Sequence, residues 1–125
     1  MAKLIFQIIN IIFIILYVYP GSILGFIINK DFSKQPQITS DFMLISSNHV
    51  YAFLVLSLTG ILSYFNVQKV IIFYLFFISI ILELFHLLIP NRSFQFSDLF
   101  GNIIGVLISL LILIIINFWR KNEFI

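Results

Sequence analysis

Four long apolar stretches separated by short polar ones set the frame of this chain. The first begins as LIFQIINIIFIILYVY and resumes as ILGFII after Pro20-Gly21, covering residues 4 to 28; the others cover 49 to 66, 69 to 89 and 98 to 119. A helix needs about 20 apolar residues to cross a bilayer. The second stretch is therefore short unless Asn48 and His49 extend it. Pro20 breaks or ends the first helix, since proline lacks a backbone donor and crowds the preceding turn, and Pro90 does the same to the third. The most polar segment, 29 to 48, and the segment 90 to 97 read as connecting loops. The pattern predicts an all-α protein, a four-transmembrane-helix antiparallel bundle forming one integral membrane domain over residues 1 to 125, with both polar loops on the same side.

Composition supports the bilayer as solvent. Of 125 residues, 62% are hydrophobic and 10% charged, against roughly 45 to 50% and about 25% in a soluble domain. A soluble fold of this size could not hide so much Ile, Leu and Phe from water. The first apolar run exceeds the ~7 to 15 residues of a signal-peptide core and no A-x-A-like cleavage site follows, so it reads as a retained helix. The absence of cysteine excludes a disulfide frame, a thiolate nucleophile and a cysteine metal site. A net charge of +2 with no basic run argues against nucleic acid as a partner. Lys3, Lys69, Arg120 and Lys121 on one side, against Lys30, Lys34 and Arg92 on the other, favour cytoplasmic termini in a cell membrane.

Candidate chemistry lies in Glu83 to Gly105, where Glu83, His86, Asn91, Arg92, Asp98 and Asn102 interrupt apolar sequence. An ionisable group at membrane depth costs about 2.5 to 3.5 kcal/mol on insertion scales. Antiparallel spans would bring His49, at the start of the second helix, beside Arg92 and Asp98. Glu83 would lie roughly 10 Å down the third helix and Asn102 roughly 6 Å down the fourth, at 1.5 Å per residue. Glu83 and His86 share a face at i, i+3, and Asp98, Asn102 and Gly105 share a stripe. Gly101, Gly105 and Ser109 are small residues at fourfold spacing, a device for close helix packing in lipid.

Each residue also has a structural reading. Arg92 could snorkel to lipid phosphate, Asp98 could cap the fourth helix, His49 could sit inertly at the interface, and Glu83 could lock the bundle through His86 or Arg92. The candidate catalytic residues are His49, Glu83, Arg92 and Asp98; the candidate ligand-binding residues are Arg92, Asn102 and His86. Established templates fit poorly. One Glu-x-x-His does not make a di-iron bundle, which needs two copies and two further Glu. His49, Glu83, His86 and Asp98 have no recognised zinc spacing, and no nucleophile elbow or S-x-x-K occurs. No metal and no cofactor are therefore expected.

E-x-x-H-x-x-x-P-x-R, followed by D-x-x-x-N-x-x-G and preceded by a histidine opening the second helix, resembles the VanZ-like family of small bacterial membrane proteins. Glu83, Pro90, Arg92, Asp98, Asn102, Gly105 and His49 match the family pattern, over about half the chain. His86 stands where the family commonly has Gln, adding a group that titrates near neutral pH. The resemblance implies a four-helix membrane bundle, a place in the cell envelope and a link to tolerance of teicoplanin-type glycopeptide antibiotics. An envelope protein handling an anionic headgroup, a phospholipid or lipid-linked cell-wall precursor, is the first expectation. There, Arg92 would clamp phosphate as a bidentate donor. A scaffold locked by its polar cluster and a small proton-linked transporter are the alternatives.

Overall fold

A computed structural model of the chain describes residues 1 to 122. It is helical: α1 (Ala2–Val18), α2 (Ile23–Asn29), α3 (Ser47–Ser63), α4 (Gln68–Phe85) and α5 (Phe96–Asn122), with one 3-10 turn at Phe65–Val67 before α4. Among the described residues the only β pairing is the isolated bridge between Phe42 and Ile45. Phe65–Phe85 and Phe96–Lys121 are long and apolar enough to cross a membrane; α1 and α2, bent by 87° at their junction, add a third crossing if they form one broken span. α3 has 17 residues, which gives it roughly 25 Å at 1.5 Å per residue.

Contacts fix the relative directions. Gly101 lies against Ser46 and His49, Gly105 against Val50 and Leu54, and Ser109 Oγ donates to Leu54 O, so α3 and α5 run the same way. α1 runs opposite to α3, its Phe6 meeting Gly60 and its Tyr17 meeting His49. α4 runs opposite to α5: Gln95 N donates to Glu83 Oε1 and, further along α5, Asn102 Nδ2 donates to Ser79 O further back in α4.

The closeness of α3 and α5 has a direct cause in the small residues. A Cβ on Gly101 would stand 2.7 Å from Ser46 O, and one on Gly105 would stand 2.6 Å from Val50 O. Lipid tails are as apolar as Leu, so such contact, rather than expulsion from solvent, holds helices together in a membrane. Phe6, Phe53, Leu56, Leu75 and Val106 fill the interior, with Ser57, Ser79 and Ser109 buried among them. Ile and Phe side chains such as Phe73 and Ile114 face outward.

Three element ends depart from the sequence expectation. α4 stops at Phe85 rather than about Ile89, because Pro90 disfavours helical geometry at Ile89 and the chain leaves through a tighter turn in which Leu87 N and Leu88 N reach the carbonyls of Leu84 and Phe85. α3 begins at Ser47, so His49 lies within its first turn. α5 begins at Phe96, which places Asp98 in its first turn rather than at the cap. The patch 42 to 45 forms a tight turn: Phe42 and Ile45 exchange backbone hydrogen bonds, and Met43, with φ of 55°, and Leu44 project from its tip.

Candidate functional site

Two helices begin and two end at the same extremity of the molecule, and their charges follow from that. The last carbonyls of a helix lack intrahelical donors, and in lipid such groups must be satisfied within the protein. Pro20 cannot donate to Leu16 O, and the Pro20-Gly21 break leaves the end of α1 open. Arg92 closes it: Nη2 donates to Leu16 O at 3.0 Å and Gly21 O at 2.6 Å, and Nε donates to Tyr19 O at 3.2 Å. His86 Nε2 lies 3.1 Å from Tyr17 O and, facing a carbonyl, is the donor. Cationic side chains also favour a helix C-terminus through the macrodipole. Burial pushes the Arg92 guanidinium down from its ordinary value, but arginine stays charged in proteins.

Acids occupy the helix starts. Asp41 Oδ1 accepts Ser47 N at 3.0 Å at the start of α3. Glu83 Oε1 accepts Gln95 N at 3.0 Å, just before α5, and Asp98 lies in the first turn of α5. Ser46 N donates to Ser97 O and ties the two starts together. Asn91 adopts φ of 61° in the turn ahead of Arg92, a left-handed conformation that asparagine tolerates better than most residues.

Between these ends lies a connected polar cluster. Tyr17 OH donates to Asn102 Oδ1 at 2.9 Å and lies 3.0 Å from His49 Nδ1, while His49 Nδ1 and Asn102 Oδ1 are 2.8 Å apart. Asn102 Nδ2 donates to the Ser79 carbonyl, so its oxygen must face His49 and Tyr17. His49 Nδ1 therefore carries the proton, and Nε2 points to Asp98 Oδ2 at 3.5 Å. Glu83 Oε2 lies 3.2 Å from His86 Nδ1, close enough for attraction, yet the angle is too poor for a hydrogen bond and the oxygen has no other partner. Glu83 and Asn102 are wholly buried.

The cluster opens on one side to a cavity of about 510 Å³. Its walls are mostly apolar, including Phe13, Leu16, Leu24, Ile28, Ala52 and Val55, while Tyr17, His49, His86 and Arg92 supply polar groups.

His49, Glu83, His86, Asp98 and Asn102 thus meet at one extremity. Arg92 reaches the same cavity but does not present the bidentate fork expected of it, because Nε and both hydrogens of Nη2 are engaged by the carbonyls of Leu16, in α1, and of Tyr19 and Gly21, in the break that follows it. Only Nη1 has no partner among the described residues. Tyr17, which is not among the site residues expected from the sequence, lies at the centre of the cluster, stacked on His86 with ring centroids 5.8 Å apart. No local pattern marks Tyr17 for this place; what Pro20 signals is the open carbonyls at the end of α1, which His86 and Arg92 serve.

By fold and composition this is a helical protein of membrane type with a buried polar cluster. Comparisons with protein-family models, curated proteins and solved structures found no match to this chain.

Proposed function

We propose that the chain is a multi-pass protein of the bacterial cell membrane that holds an anionic amphiphile, its acyl part along the apolar wall and its headgroup against His49, Tyr17 and Arg92. In this reading α1 with α2, α3, α4 and α5 are the four crossings of an antiparallel bundle, with both termini cytoplasmic. The single observation that carries it is the cavity of about 510 Å³, whose apolar lining is joined to a few convergent polar groups, the usual form of a small-molecule site. Arg92 contributes positive charge and one free nitrogen rather than a fork. The VanZ-like resemblance agrees with this reading and points to a phospholipid or lipid-linked cell-wall precursor, with tolerance of teicoplanin-type glycopeptides as a consequence.

Native mass spectrometry and phosphorus NMR on the detergent-purified chain test the proposal. A phosphate-bearing lipid should copurify or bind, and Ala52→Trp, which fills the cavity from its wall, should displace it while the protein still melts cooperatively. Equal binding by Ala52→Trp, or none by wild type, removes the idea.

A non-enzymatic scaffold has one observation of its own: Arg92 and His86 are engaged by backbone carbonyls of another helix. That role predicts loss of function in proportion to loss of folded protein. A variant that stays folded at normal abundance and is inactive counts against it.

A further inference from the structure

His49, Glu83 and Asp98 come from three different helices, and each offers one ligand atom; these atoms lie within 4.8 Å of one another. Two independent features bear on what belongs among them. His49 Nδ1 donates its proton to Asn102 Oδ1, so in neutral imidazole the lone pair of Nε2 faces Asp98 Oδ2 at 3.5 Å. Two acceptors facing each other repel unless a positive centre stands near both. Glu83, meanwhile, is wholly buried, and its Oε2 has no hydrogen-bond partner, an unfavourable state for a carboxylate away from water.

We propose that His49, Glu83 and Asp98 bind one divalent transition-metal cation of the zinc type. Two carboxylates match the charge of a divalent ion; a proton on His49 would balance Asp98, while the group beside Glu83 Oε2, His86 Nδ1 at 3.2 Å, makes no hydrogen bond to it. An imidazole nitrogen with two carboxylate oxygens suits Zn²⁺ or Mn²⁺; Ca²⁺ prefers an all-oxygen shell, and thiolate or thioether ligands select softer ions. Three protein ligands leave a fourth position for water or substrate, as in catalytic zinc sites. Groups behind the ligands are already in place: Asn102 fixes the His49 tautomer, and Gln95 N holds Glu83 Oε1. Such supporting hydrogen bonds orient metal ligands and hold their protonation state. Tetrahedral bonds of ~2.1 Å put ligand atoms about 3.4 Å apart, so a gap of 4.8 Å closes by about 1.4 Å on loading. No short spacing motif marks the site, because its ligands lie on separate helices. The metal site shares His49 with the cavity wall, but metal uptake is read without any amphiphile bound, so the two readings fail separately.

The experiment uses the full chain purified without a histidine tag, with elemental analysis, zinc titration and the visible spectrum of the cobalt-loaded protein. About one ion per chain is expected, with a lower melting temperature after chelation. Asp98→Asn and Glu83→Gln should each weaken zinc binding by about tenfold or more, the range seen for disturbed metal shells, while Asp31→Asn, in the exposed loop, should bind as wild type does. Asp98 is partly exposed, so Asp98→Asn keeps its helicity and remains informative if Glu83→Gln does not fold. Folded wild type that takes up no zinc, manganese or cobalt at micromolar concentration overturns the proposal. So does equal zinc affinity in wild type and Asp98→Asn, which marks the metal as adventitious.

Discussion

The two extremities of the molecule are built by different means. At one, the end of α1 and the start of α5 are joined by directional bonds: Arg92 and His86 to α1 carbonyls, Glu83 to Gln95 N, and Asn102 to Tyr17, His49 and Ser79. At the other, Phe6 is buried against Gly60 and packs edge-on against Tyr64 with ring centroids 5.6 Å apart; the polar contacts there are separate pairs rather than a network, Gln7 Nε2 to Tyr64 OH and the buried Asn10 Nδ2 to Tyr74 OH. Ring packing tolerates small displacements. A network in which each donor has one acceptor does not, because an unpartnered buried group costs more than a made bond returns. The polar end is therefore the one able to hold side chains in a fixed chemical arrangement.

Asn102→Leu should break this contrast most severely. It removes the acceptor of Tyr17 OH and His49 Nδ1 and the donor to Ser79 O, at roughly 1–3 kcal/mol for each group left without a partner. Thermal melts in detergent should show the largest drop of any single change considered, together with loss of ligand binding in the cavity. Phe6→Ala should cost about 3 kcal/mol or less. The aromatic truncation carries ~3–5 kcal/mol in soluble cores, but its transfer share shrinks where lipid tails replace water. Ligand binding should survive Phe6→Ala in the protein that remains folded. Equal loss of binding in both variants would mean that the two ends are not functionally distinct.

Glycines at the two ends offer a finer comparison. A Cβ on Gly101 would meet Ser46 O at 2.7 Å and His49 Cβ at 2.8 Å, a backbone atom and the root of a cluster residue. A Cβ on Gly60 would meet the Phe6 ring at 2.8 Å, and a ring edge can pivot. Gly101→Ala should therefore cost about 1–3 kcal/mol, the usual range for overpacking, and shift the His49 ring resonances. Gly60→Ala should be milder and leave those resonances in place. His49 signals unchanged in a folded Gly101→Ala protein would separate the α3–α5 contact from the site.

Much of this arrangement was legible in the chain. Apolar stretches marked the helices, and Pro20-Gly21 marked the break that became the 87° bend between α1 and α2. Glu83 and His86 were expected on one helix face and lie 3.2 Å apart. The helix ends were less readable, because the stop at Phe85 depends on the turn that Pro90 imposes downstream. Arg92 was misjudged for a similar reason: its donors go to carbonyls that exist as acceptors only because α1 is broken, a consequence visible once the helices are packed. Tyr17 gave no local sign, since a tyrosine in an apolar run is as suited to an interface as to a buried network. A metal-ligand set spread over three helices has no spacing to read.

The smallest effect concerns an acid near the same extremity but outside the network. Asp31 Oδ1 accepts Ser33 N at 2.9 Å and Ser33 Oγ at 2.6 Å, and these hydrogen bonds, chiefly the one from the Ser33 hydroxyl, hold its carboxyl below the ordinary carboxylate range, with a smaller contribution from Lys34. Because the folded value is depressed, the turn gains from the ionised acid at any pH above the unfolded value and loses that gain as pH falls through the folded value. Acidification into that window should move the Ser33 amide resonance while the helical signal at the polar end persists, and Ser33→Ala should bring the Asp31 titration back toward its ordinary position. If the helices melt in step with the Asp31 titration, the loop and the buried network are one cooperative unit, and the contrast must be drawn between the whole loop-bearing end and the Phe6 end instead.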